Sequence, residues 1–201
     1  LLDVNGRILI SDSTAPGTTT NRLYSLSGDL YWNGGLIGGG TRQVTLEAEY
    51  EGAVLSADGS TNVGNMFADN TGSTGSWMNY YQWSSSETVL NDYDVRVRFT
   101  LPSDFTSWDT NAIVVDYVTQ TTTSTDNQLN ISVYLESSGT ADYNDNNNVS
   151  SVAGTWTTTT ILDTGLSDCD TAGEACVLVL QMQSKNDNYV RVGDLTLNYN
   201  N

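Results

Sequence analysis

From residue 41 onward, apolar residues recur at every second position in short runs, and each run is closed by Gly, Asn, Asp or Ser. Successive side chains of a strand point to opposite faces, so this period builds sheets with one apolar face and cannot supply the 3.6-residue stripe of a helix. In DYDVRVRF, Tyr93, Val95, Val97 and Phe99 share one face while Asp92, Asp94, Arg96 and Arg98 share the other. Leu129, Ile131, Val133 and Leu135 face inward in a second run, and Cys176, Leu178, Leu180 and Met182 in a third. Further strands are predicted at 42–51, 62–68, 77–84, 112–120, 154–163 and 188–198. About eight or nine strands in two antiparallel sheets make an all-β sandwich of the jelly-roll kind.

Composition narrows the functions open to such a sandwich. Lys and Glu are scarce beside Thr, Ser, Asn, Asp and Gly, a balance that suits strands and turns. A net charge of -17 with seven basic residues excludes nucleic acid and anionic membrane surfaces, which require clustered cations. There are no histidines, so the commonest general base and transition-metal ligand is missing and no catalytic residue is assigned. No apolar run approaches the roughly 18 residues of a membrane span. Cys169 and Cys176 flank DTAGEA, where a local disulfide would mark an oxidising, extracellular setting. Two free thiols, the alternative, sit badly among acidic, turn-forming neighbours. The chain starts at Leu1 without a signal peptide, which reads as a processed or truncated product.

The first 40 residues stand apart from the body. Residues 1–11 read as an extended strand broken at Asn5-Gly6, 13–21 as a polar connector, and 22–34 (RLYSLSGDLYWNG) as a hairpin about Ser27-Gly28. A Gly-rich linker follows, with the domain boundary near Gly40. Leu23, Leu26, Leu30 and Trp32 are too few to bury one another, because a lone hairpin is marginal in water. They require a partner surface, either the chain's own body or another copy.

Two further patterns could carry chemistry. Glu47, Glu49 and Glu51 alternate along LEAEYEG, placing three carboxylates on one face; either a hard cation such as calcium relieves them or they point into water from an edge strand. In the last strand the parity slips between Val190/Val192 and Leu195/Leu197/Tyr199, which predicts a β-bulge at Gly193-Asp194 that re-aims Asp194. Among the aromatics, Trp83 and Trp156 are expected in the core, leaving Tyr80 and Trp108 as surface platforms for a sugar ring. The acidic segments at 58–59, 142–148 and 168–170 read as turns with room for one further weak ion site. Asn130 and Asn148 each head a glycosylation sequon.

The stretches VTLEAEYEGAVL, NYYQWSSSETVLNDYDVRVRF, NQLNISVYL and NYVRVGDLTLNY, in that order, resemble carbohydrate-binding modules of the galactose-binding-like jelly-roll type, over roughly residues 41–201. That resemblance implies a structural calcium held by Glu47, Glu49 and Asp194 with backbone carbonyls. The EAEYE run is also faintly similar to the carboxylate strand of laminarinase-type glycoside hydrolases, whose remaining features the chain lacks. The phrase RLYxxxGxLYWNG resembles segments of phage tail-fibre-like proteins and bacterial surface fibres. Joined to a jelly roll, it implies an extracellular subunit of a fibre, built from copies of itself as a filament or a trimer. The alternative is a calcium-stabilised module that binds surface glycans.

Overall fold

The computed structural model describes residues 14, 16–18, 20, 22–26, 29–33, 35–36, 38–57, 62–72, 77–149 and 153–201. The predicted strand at 1–11, the Ser27-Gly28 turn, the 58–59 segment and the Asn148 side chain lie outside the described residues. The chain divides into two compact units, Leu1–Thr41 with Asn201, and Arg42–Asn200.

In the smaller unit, β1 (Leu23–Leu26), β2 (Asp29–Trp32) and β3 (Gly35–Leu36) form an antiparallel meander. Leu23 stands opposite Trp32 and Ser25 opposite Leu30, whereas Tyr24 pairs with Tyr31 and Leu26 with Asp29. The four apolar residues singled out in the sequence therefore do not share a face, because Leu26 has the parity of the tyrosines. Tyr24 and Tyr31 stack at 5.2 Å between ring centres. Leu23 and Trp32 are 46% and 51% exposed.

The larger unit is a sandwich of two antiparallel sheets. One runs β11-β10-β13-β8-β5, from β11 (Ala141–Val149), β10 (Asn127–Leu135), β13 (Ala175–Ser184), β8 (Asn91–Thr100) and β5 (Val54–Ser56). The other runs β12-β9-β14-β7-β6, from β12 (Thr157–Ile161), β9 (Ser107–Thr119), β14 (Asn188–Asn200), β7 (Asn79–Ser85) and β6 (Asn65–Asn70). β4 (Thr41–Leu46) also pairs with β14. A single 3-10 turn is described, at Asp163–Gly165.

The apolar parity of the sequence builds the core. Val95, Val97, Leu129, Ile131, Val133, Leu178, Leu180 and Met182 close it from one sheet, and Trp83, Ile113, Val115, Val190, Val192 and Leu195 from the other. Cys169 and Cys176 are disulfide-bonded, tying the preceding loop to β13. The ladder between β14 and β9 shifts register between Val192 and Leu195, which is the predicted bulge.

Several strands depart from the sequence reading, among them β5, which lies outside the predicted strands. Ala141–Val149, read as an acidic turn, pairs along β10 as an edge strand, since backbone pairing needs no apolar side chains. β4 ends at Leu46, so Glu47 and Glu49 leave the sheet while Ala48 and Tyr50 turn into the core. β9 begins at Ser107, five residues before the predicted start, and carries Trp108 inward.

Candidate functional site

The outward residues of the five-stranded sheet fall into register rows. Gln128, Gln183 and Asp92 lie side by side across β10, β13 and β8, and Asn130, Gln181 and Asp94 form the next row. Ser132, Val179 and Arg96 make the third, and Tyr134, Val177 and Arg98 the fourth. With about 7 Å of strand rise between rows, the four span roughly 20 Å.

Gln181 is the hub of this face. Its Nε2 donates to Asp92 Oδ2 at 2.9 Å, and its Oε1 accepts from Gln183 Nε2 at 2.8 Å and Asn130 Nδ2 at 3.3 Å. Gln128 Nε2 donates in turn to Gln183 Oε1. Arg96 pairs with Asp94 at 3.2 Å, and Ser132 Oγ bonds Asn144 Oδ1 at 3.2 Å. Arg98 grips Glu136 with two bonds of 2.6 and 2.7 Å, and these bonds hold the Glu136 carboxyl below its usual range.

Asp92 and Asp94 are only 6% and 4% exposed although they stand on the outward face. A face built merely to meet solvent has no need of such fixing, because water would satisfy each group. Here the amides are held in place as donors and acceptors by one another. Asn130 Oδ1 is shielded from solvent and accepts no hydrogen bond from the described residues. A depression of about 470 Å³ opens over Asn130, Gln181, Ser132, Asn144, Arg96 and Tyr134, floored by Val177 and Val179. Fixed polar groups beside a single ring and an aliphatic floor suit a ligand with alternating hydroxyl and C–H surfaces.

The residues expected to hold calcium lie away from this face, and Asp194 is on β14 of the other sheet. Tyr50 donates its hydroxyl to Gly193 O at 2.5 Å beneath the bulge, and burial pushes its pKa up. Asp194 is also raised, by burial and then by the charge of Glu47, and Asp116 by burial and then by Asp194. Glu49 acts instead on Tyr81, adding to the effect of burial on that hydroxyl. The structure thus brings Glu47 and Asp116 each into electrostatic reach of Asp194, while Glu49 acts on the neighbouring Tyr81. Among the described residues no three His, Cys, Asp or Glu side chains converge closely enough to hold a metal ion.

Neither predicted aromatic platform is an open ring. Trp108 is a core residue whose Nε1 donates to Cys169 O at 2.6 Å, and its ring lines a side cavity of about 520 Å³ with Phe99, Leu101 and Leu197. Tyr80 does face outward, from the six-stranded sheet, but Arg191 and Trp156 cover it to 5% exposure. Trp156, expected in the core, lies half-buried on that outer face. The amide face was not singled out in the sequence. Its signal is the alternation of Gln128 with Asn130, and of Gln181 with Gln183, at the polar positions of two strongly apolar strands.

No protein-family profile matches the chain, and no curated protein matches it. Among solved structures it is similar to carbohydrate-binding modules of β-sandwich fold. The likeness is one of architecture. TmCBM61, solved with β-1,4-galactotriose, aligns at 8% identity over 79% of this chain and 88% of that one, with a TM-score of 0.41. The family 11 module of the cellulosomal cellulase Lic26A-Cel5E of Clostridium thermocellum aligns at 12% over 81% and 88%, TM-score 0.34. The xylan-binding module CBM15 aligns at 14% over 79% and 97%, TM-score 0.39.

Proposed function

We propose that the body is an extracellular glycan-binding module that lays a neutral saccharide chain across the outer face of the five-stranded sheet. The amide ladder from Gln128 through Gln183 and Gln181 to Asp92 carries the reading: fixed donors and acceptors match sugar hydroxyls, and Tyr134 offers a ring to a C–H face. The ligand is neutral because both cations on this face are already paired, Arg96 with Asp94 and Arg98 with Glu136. The Cys169–Cys176 disulfide supports an oxidising compartment. Calcium enters the proposal with two carboxylates, Glu47 and Asp194, whose mutual repulsion a divalent ion would relieve. Titration calorimetry of the full chain against neutral galactan, xylan and mixed-linkage glucan oligosaccharides tests the reading. Binding that falls at least about tenfold in Tyr134→Ala supports it, and a wild-type chain that binds no neutral saccharide overturns it.

A second reading concerns the arm, where Leu23 and Trp32 stand exposed side by side on one face of a separate unit. Contacts between copies through this face would assemble a filament or a trimer. Light scattering across a dilution series tests it; a monomer at all concentrations defeats it.

A further inference from the structure

The outer face of the other sheet carries a different arrangement. Arg191 lies between two tyrosines, its guanidinium carbon 4.5 Å from the centre of the Tyr80 ring and 4.4 Å from that of Tyr189. Its Nε donates to Gln82 Oε1 at 2.6 Å, which fixes the plane of the fork. Trp156 packs against Tyr80 at 5.9 Å between ring centres. Arg96, Arg98 and Lys185 are each paired with a carboxylate, but Arg191 makes no ion pair among the described residues. Register places Phe67 opposite Gln82 and Gln82 opposite Arg191, so an exposed ring stands in the same row two strands away, about 10 Å between the backbones of Phe67 and Arg191. The nearby Asp69 carboxylate accepts from Asn70 N at 2.8 Å and bonds the Tyr80 hydroxyl.

We infer that this row is a second binding site, specific for a sugar bearing a single carboxylate: the ring of Phe67 stacks on a pyranose and the guanidinium of Arg191 takes the carboxylate. A planar fork held between aromatic faces, with its Nη groups left over, is the geometry that binds a carboxylate bidentately. The net charge of -17 repels a polyanion, whereas a lone carboxylate on an otherwise neutral glycan meets Arg191 and one nearby carboxylate, Asp69, which is already engaged by Asn70 N–H and the Tyr80 hydroxyl, since screening cuts off distant charges within about 8 Å at physiological salt. The site is separate from the neutral-glycan face and does not rest on it.

The test is calorimetry on the full chain with three probes: a glucuronate-terminated oligosaccharide, a sialic-acid-terminated one, and the glucose-terminated counterpart. Tighter binding of either acidic probe than of the neutral one, by about tenfold, is expected, and the stronger of the two identifies the acidic sugar. Arg191→Gln should abolish that preference and Arg191→Lys should restore only part of it. Phe67→Ala, on an exposed ring outside the tyrosine stack, should weaken acidic-probe binding with the melting temperature unchanged. Tyr134→Ala should leave the acidic preference intact, so that failure of the neutral-glycan reading is read separately. Equal binding of acidic and neutral probes by the wild type, or a preference that survives in Arg191→Gln, overturns the inference.

Discussion

Gln181→Ala should cost the sandwich more stability than an ordinary surface truncation. The side chain makes three hydrogen bonds, to Asp92, Asn130 and Gln183. Water can replace Gln181 at Asn130 and Gln183, which are partly exposed, so little is lost there. At Asp92 water replaces the Gln181 donor poorly, because that residue is only 6% exposed. A hydrogen bond to a charged group contributes about 1.5–3 kcal/mol, so a loss of about 2 kcal/mol is expected. For a domain of this size that corresponds to a fall in Tm of roughly 4–8 °C, read by calorimetry. Gln181→Glu separates the donor from the packing. At neutral pH the introduced carboxylate faces Asp92 and should destabilise at least as much, and acid should restore part of the loss by protonating that carboxylate into a donor for Asp92. A Gln181→Ala chain melting within about 1 °C of wild type would show that the ladder is solvated, which would refute its role as a fixed recognition surface.

Three other perturbations test separate parts of the molecule. Asp194 and Asp116 both have raised carboxyl pKa values, so the folded chain holds their protons more tightly than the unfolded one; the stabilisation is complete below the ordinary 3.8 and is lost as pH rises through the raised values. Asp194→Asn should therefore raise Tm at pH 7 and change it little in strong acid, and added calcium should raise the wild-type Tm but not that of Asp194→Asn; a wild-type melt indifferent to calcium removes the ion. Gly64→Ala would drive a Cβ into the carbonyl of Ser84 and to 2.7 Å from the Trp83 ring, and should cost about 1–3 kcal/mol by denaturant titration. Deletion of residues 1–40 should leave a folded monomer by light scattering and circular dichroism, and a truncated chain that still self-associates would remove the arm from assembly.

The sandwich was legible because strand parity encodes burial directly: Val95, Val97, Leu178, Leu180 and Met182 lie where alternation puts them. The bulge was legible for the same reason, since a slip in parity at Gly193-Asp194 has one simple structural repair. Parity fails where neither face is apolar. Ala141–Val149 carries no alternation because an edge strand gains its stability from main-chain pairing with β10, so its composition reads as turn. The exposure of individual rings is harder to read for a related reason. An outward Trp or Tyr in a sequence looks like a platform, but whether its ring is open depends on residues far along the chain. Cys169 takes the Trp108 N–H, and Arg191 covers Tyr80. The amides of the ladder look ordinary one by one and acquire meaning only when register sets Gln181 between Asn130 and Asp94.

β14 bonds to β7 through Val192 and to β4 beyond the bulge, and Gln43–Asn198 and Thr45–Thr196 contacts set β4 antiparallel to it. Asn201 N–H reaches Gly40 O, so the polypeptide enters and leaves the sandwich side by side. Tension applied between residues 40 and 201 would therefore open the β4–β14 ladder as a zipper, one rung at a time, rather than shear all its rungs together. Such an attachment yields at low force and recloses as the load falls, while the five-stranded face, on the opposite sheet, carries none of the strain.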